Sequence, residues 1–205
     1  MNQKENGGAL LLIRHGQTHA NLDQVWHGVT DTPLTNEGKK QAVCVGEHIR
    51  KTYAPVAAVY ASQLQRAVQT ARAISAEQGP TVLSDTRLKE MDAGEWEEAG
   101  FDFLQNDHNF FRRISADSTY SAPGGESRGQ VQERMMSVLT EIAERHRNET
   151  VAVVSHGIAI SVALAHLEYG DSGQWHRYNP NNTGISILQI PDLSLLEFNL
   201  TAHLS

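Results

Sequence analysis

The sequence predicts an α/β sandwich built on a mainly parallel sheet. Short apolar runs alternate with longer stretches of helical periodicity through most of the chain. Two of the runs, residues 9–13 and 150–154, are apolar nearly throughout, as strands covered on both faces are. No repeat, low-complexity tract or linker-like run divides the 205 residues, so residues 1–205 read as one domain.

Residues 1–8 are polar and glycine-bearing and are expected to be flexible. A strand follows over residues 9–13. Residues 35–53 read as a helix with Thr35 at its N-cap, and residues 55–61 as a second strand. Ser62 and Gln65 have the spacing of a capping box, opening a helix that ends before Gly79-Pro80. Residues 81–85 make a short strand. Residues 95–120 are less regular and rich in aromatic side chains. Pro123-Gly124-Gly125 marks a turn, and a long helix is expected over residues 126–147. A buried strand at 150–154 runs into a helix over 156–167. Strands at 183–190 and 195–198 flank the turn Pro191-Asp192 and read as a hairpin.

Composition excludes several classes. The net charge of -7 and the lack of a basic stripe argue against a nucleic-acid partner. No apolar run is long enough to cross a membrane or to serve as a signal peptide core, so the expected location is the cytoplasm. The single cysteine, Cys44, rules out an internal disulfide and reads as a small buried hydrophobe. Ten histidines raise the question of a metal, but no zinc-type spacing is present, and the setting of His15 and His19 is strand-to-loop rather than helical. No metal site is expected.

One pattern occurs twice. An apolar strand ends in Arg14-His15-Gly16, and another ends in Ser155-His156-Gly157. In open parallel sheets ligands bind beyond the carboxyl ends of the strands, so two histidines at two such ends can meet despite their separation in sequence. Gly16 and Gly157 allow close approach of backbone or ligand. Arg66, at the start of the helix after the second strand, lies near the same edge, where a helix N-terminus already favours an anion. Arg14 and Arg66 together present two guanidinium forks, which match phosphate oxygens.

The segments Arg14-His15-Gly16-Gln17-Thr18-His19-Ala20-Asn21, Asp31-Thr32-Pro33-Leu34-Thr35-Asn36-Glu37-Gly38, Ser62-Gln63-Leu64-Gln65-Arg66-Ala67-Val68-Gln69-Thr70-Ala71, Leu88-Lys89-Glu90, Gly94-Glu95-Trp96-Glu97, Pro123-Gly124-Gly125-Glu126-Ser127 and Ser155-His156-Gly157 are collinear along the chain. Through them the sequence resembles the histidine phosphatase superfamily, in its phosphoglycerate mutase-like branch. The resemblance implies a three-layer α/β/α sandwich, with residues 95–125 as a small cap segment over the site.

The resemblance also implies roles. His15 would attack phosphorus as a neutral imidazole, with its other nitrogen donating to a backbone carbonyl. Arg14, Arg66 and His156 would hold the phosphoryl oxygens. Glu90 would act as general acid and base, which asks for partial burial. Gln17, Asn21, His27, Gly28 and Gly157 would complete substrate binding. No cofactor is implied, because cationic side chains would do the work of a metal. The expected partner is a small phosphorylated metabolite, and the family leaves room for a homodimer.

Glu126 reads as a carboxylate interacting with a helix N-terminus rather than as a catalytic group. Three positions depart from the family pattern. Glu98 stands where a glycine often follows Trp-Glu, Gln63 where aspartate or proline is common, and Ile158-Ala159-Ile160 where a glycine and an arginine often lie. These bear on substrate choice more than on activity. Between Glu90 and His156 the one paired basic element is Arg112-Arg113, too little to hold a bisphosphate, which favours a phosphatase over a mutase. A non-catalytic phospho-ligand-binding module is the remaining alternative, although neither nucleophile nor acid is missing.

Overall fold

The computed structural model describes residues 7–204. In chain order its elements are β1 (Ala9–Arg14), α1 (His19–Asp23), α2 (Asn36–Thr52), β2 (Val56–Ala61), α3 (Gln65–Ser75), β3 (Val82–Ser84), α4 (Phe110–Ala116), α5 (Arg128–Arg145), β4 (Thr150–Ser155), α6 (Gly157–Tyr169), β5 (Ile185–Gln189) and β6 (Leu195–Leu200). The six strands form one sheet in the order β3-β2-β4-β1-β5-β6. The first four are parallel, and β5 and β6 are added antiparallel as the expected hairpin.

The sheet is covered on both faces, giving the three-layer α/β/α sandwich. Successive residues of β1 point to opposite faces. Leu11 and Ile13 pack with Val45, Ile49, Ala67 and Ala71 of α2 and α3. Leu10 and Leu12 face the other layer, with Met135, Leu139, Ile160 and Leu164 of α5 and α6. Burial of each such side chain contributes about 1.5–3 kcal/mol. Helix α6 is buried around most of its circumference, which is why its sequence is apolar without a polar face. No helix among the described residues is long and apolar enough to cross a membrane.

Several expectations need correction. Of the segment expected to be flexible, residues 1–6 lie outside the described residues. Gly8 is buried, and it donates to the Arg147 carbonyl and accepts from the Ile190 amide. Ser62 does not cap α3. Leu64, with extended backbone, occupies the cap position, and the Asp31 carboxylate accepts the Gln65 amide at 2.7 Å instead. A capping box does form at the start of α5, between Ser127 and Gln130. Helix α1 was unforeseen; it is a single turn capped by Thr18 with Asn21. Cys44 is half-buried rather than buried. Glu126, just before the N-cap of α5, also forms an ion pair with Arg134 at 2.9 Å.

The segment over residues 95–125 contains a π-helical turn (Phe103–Asp107) and α4, and it packs its rings against Trp26 of the loop after α1. Glu98 lies in this segment with φ 64°, in the left-handed region, where its amide donates to the Trp26 carbonyl at 2.9 Å. A side chain there costs about 1–2 kcal/mol, whereas glycine adopts this conformation freely but loses more chain entropy on folding. Glu98→Gly is therefore expected to leave stability unchanged or to raise it by up to about 1 kcal/mol, read from the urea midpoint. A loss larger than that would show that the Glu98 side chain, not its backbone, matters.

Candidate active site

Strands β1 and β4 are neighbours, with Arg14 paired to Ser155 in the parallel register. The next residue on each strand is a histidine, so His15 and His156 leave the same sheet edge side by side. Their ring centroids are 5.0 Å apart. Both are buried, at 4% and 0% exposure.

The hydrogen bonds fix which nitrogen of each ring carries the hydrogen. His15 Nδ1 donates to the Gly16 carbonyl at 2.7 Å, which leaves Nε2 with its lone pair. His156 Nδ1 accepts from Arg66 Nε at 3.2 Å, so its Nε2 carries the hydrogen. Burial, reinforced by the positive charges of Arg66 and Arg14, pushes the proton affinity of His15 well below the ordinary histidine value, and only the Gly16 carbonyl opposes this. His156 is lowered in the same way, first by burial and then by Arg66. Both rings are neutral, one presenting an electron pair and the other an N–H.

Two buried donors at this edge, Arg14 Nε and His156 Nε2, have no hydrogen-bond partner. Buried donors are nearly always satisfied, so an orphaned pair points to a missing acceptor. Arg14 is oriented by one bond, Nη1 to the Pro180 carbonyl at 2.8 Å, and a β-carbon at Gly157 would just reach van der Waals contact with its guanidinium. Arg66 is held more completely. Its Nη1 donates to the Thr30 carbonyl, and its Nη2 to the carbonyls of His27 and Gly28. Burial lowers both guanidinium groups from their ordinary value and the Glu90 carboxylate opposes the fall, so both stay charged.

Glu90 is buried, as its proposed role asks. Its Oε1 accepts the amides of Met91 and Ala159, and its Oε2 that of Ile158. The carboxylate thus sits on the N-terminus of α6, beside the histidine that precedes that helix. Its backbone is braced by Arg134, which donates to the carbonyls of Lys89 and Glu90 and is itself held by Glu126.

Arg14, His15, Asn21, His27, Arg66, Glu90 and Gly157 all line one cavity of about 450 Å³. Asn21 uses its Oδ1 on the amide of Thr18 and on Asn182, so its Nδ2 is what it has to offer a ligand. His156, Gln17 and Gly28 lie outside the lining, His156 being fully buried beside it. Gln17 turns its Oε1 to the Thr35 hydroxyl, and Gly28 serves instead as a carbonyl acceptor for Arg66.

Three supporting residues were not anticipated. Glu97 accepts five hydrogen bonds: the amides of Gly28, Val29, Thr30 and Ala93, and the Thr30 hydroxyl. It ties down the loop whose carbonyls hold Arg66. Thr70 accepts the Gly16 amide at 3.0 Å and donates to the Arg66 carbonyl at 2.8 Å, joining the two strand ends through α3. Asn182 donates to the His15 carbonyl and to Asn21. A glycine is obligatory at position 38, where a β-carbon would collide with the Gln17 backbone and displace the loop that follows His15. The turn Pro180-Asn181-Asn182-Thr183-Gly184 was the one available signal for Asn182. For Glu97, membership of an acidic run hid its role.

Comparison with known proteins agrees with this geometry. Residues 10–195 match the histidine phosphatase superfamily (branch 1). Phosphoserine phosphatase 1 of Hydrogenobacter thermophilus is 28% identical over 199 residues, covering 95% of this chain and 93% of that protein. A probable phosphoglycerate mutase of Salmonella choleraesuis is 34% identical over 156 residues, 75% of this chain and 72% of that one. The crystal structure of the Entamoeba histolytica phosphoserine phosphatase in complex with 3-phosphoglyceric acid superposes with a TM-score of 0.85 at 29% identity, covering 97% of this chain and 100% of that one. Because the likeness runs from β1 to the start of β6 and not over one isolated motif, the chain belongs to branch 1 of the histidine phosphatase superfamily, a family of phosphatase-type enzymes.

Proposed function

We propose that the protein hydrolyses phosphate monoesters of small metabolites, with His15 carrying the phosphoryl group between two displacements. The observation that carries this reading is the pair of orphaned buried donors, Arg14 Nε and His156 Nε2, beside the free Nε2 of His15. A tetrahedral anion satisfies both donors and brings phosphorus to the nucleophile.

In the first step the electron pair of His15 Nε2 forms a bond to phosphorus as the ester P–O bond breaks. Glu90 gives a proton to the departing alcohol oxygen. In the second step water attacks phosphorus, the P–N bond breaks and returns its electrons to the ring, and Glu90 takes the proton from the water. Oε2 of Glu90 holds a single amide and has a lone pair left for that proton. Arg14, Arg66 and His156 meet the charge on the equatorial oxygens.

Hydrolysis is favoured over a mutase reaction by the rest of the cavity. Among the described residues no lysine lines it, and no arginine other than Arg14 and Arg66. Arg113 lies over the Tyr120 ring instead, and Arg112 is outside the lining. A retained bisphosphate would have no cation for its second phosphate. The phosphoserine phosphatases among its relatives fit this reading.

The test is to quench the reaction of a labelled ester in alkali. The expected product is an alkali-stable, acid-labile phosphate on the chain that disappears in His15→Ala, together with release of inorganic phosphate. Turnover without such an adduct, or isomerisation of phosphoglycerate in its place, would overturn the assignment.

The lowered proton affinity of both histidines sets a pH dependence. Unfolded imidazoles take up protons from about pH 6.5 downward, and the buried ones only further down. The unfolded chain therefore binds more protons in that window, and stability must fall as pH falls. The urea midpoint is expected to drop between about pH 7.5 and about pH 5.5. The drop should be shallower in His15→Asn and His156→Asn, and an unchanged slope in both would contradict the burial argument.

Glu97 is expected to act through Arg66. Glu97→Ala should lower kcat/KM by about 10–100-fold through a displaced guanidinium. In the background of Arg66→Ala the same change should cost little more, because the two act as one unit. Additive losses would assign Glu97 a separate role.

A further inference from the structure

One part of the cavity wall has a distinct chemistry. It is formed by Trp26, Phe101, Phe111, Trp175 and Tyr178, which come from three separate segments of the chain. Four of the rings form a continuous surface. Trp26 lies 6.2 Å from Phe101 and 5.9 Å from Phe111, Phe101 and Phe111 are 5.9 Å apart, and Phe111 is 6.3 Å from Trp175.

The polar tips of this wall are already occupied. Trp26 Nε1 donates to the Met91 carbonyl, Trp175 Nε1 donates to the Ser115 hydroxyl, and the Tyr178 hydroxyl is paired with Tyr169. The wall therefore offers a ligand ring faces and edges only. Ile158 adds an aliphatic surface, and the Ser161 hydroxyl is turned away to the carbonyls of Gly157 and Tyr178. The groups left with polar capacity beside that wall are His176 and Asn179, neither of which carries a permanent charge.

We propose that the enzyme takes phosphate monoesters whose alcohol bears an aromatic or comparably flat apolar ring and no carboxylate. The inference rests on the hydrolase reading above and concerns the alcohol half of the same cavity. A ring gains dispersion and edge-to-face contact with the wall at little desolvation cost. A carboxylate there would lose its water and find no fixed cation, since both arginines belong to the phosphoryl end. A volume of about 450 Å³ is that of a pocket for a whole small ligand, well beyond the needs of a phosphoryl group alone.

The experiment compares 2-phenylethyl phosphate, ethyl phosphate and O-phosphoserine, three esters of primary alcohols. The expected order of kcat/KM is phenylethyl first, exceeding phosphoserine by about tenfold or more. Phe101 is 41% exposed, so Phe101→Ala can be made with little risk to the fold. It should reduce the ratio of phenylethyl to ethyl phosphate, and Phe101→Leu should reduce it less. A preference for phosphoserine, or a loss in Phe101→Ala equal for both esters, would overturn the proposal. Calorimetric binding of phenylethyl phosphate and phosphoserine to His15→Ala decides the same question without turnover. If no ester is cleaved but the ring-bearing one binds more tightly, the hydrolase reading fails and the ring preference stands. If phosphoserine binds more tightly, the ring preference fails.

Discussion

Arg66 is 2% exposed, so the fold must give its guanidinium acceptors, and the arrangement around it follows from that requirement. Three loop carbonyls and one imidazole nitrogen supply them. The loop cannot present those carbonyls unless its own amides are satisfied, and the Glu97 carboxylate does this. The imidazole that accepts from Arg66 thereby has its tautomer set, which leaves the N–H at its far nitrogen. One buried charge thus determines the shape of a loop, the use of a carboxylate in the cap segment and the polarity of a ring from a different strand.

The same economy explains why the two histidines differ in role while being alike in sequence setting. Each follows an apolar strand and precedes a glycine. His15 finds a carbonyl one residue ahead and becomes an acceptor at its far nitrogen; His156 finds an arginine and becomes a donor. Neutrality of both follows from burial near positive charge, so the site keeps its positive field in the arginines and its reactive electron pair on an uncharged ring.

The fold was legible to the extent that it is written in local periodicity. The buried strands and the long helices were readable because each is apolar on the surfaces it covers. Reading failed where the partner lies far away in sequence. The start of α3 was misplaced because its first amide is met by Asp31 and not by the nearby Ser62. Glu97 was lost in a run of carboxylates because nothing in the run distinguishes the member that turns inward. Conversely, Glu98 was noticed only as a departure from a family habit, and its positive φ supplies the reason for the habit. Gln17 illustrates the opposite error: it lies between two functional residues in a familiar motif, yet its side chain is spent on Thr35.

Strand β1 is hydrogen-bonded along both edges, to β4 on one side and β5 on the other. The residue that follows it is therefore mounted on a strand of the sheet interior, where opening the backbone breaks two ladders at once. The ring-lined wall of the cavity is mounted differently: Phe101 and Phe111 flank a π-helical stretch whose side chains are mostly exposed. Such a division couples a stiff reaction centre to a compliant antechamber. It lets the alcohol half of a substrate vary over evolutionary time by exchange of a few rings, without disturbing the geometry on which bond breaking depends.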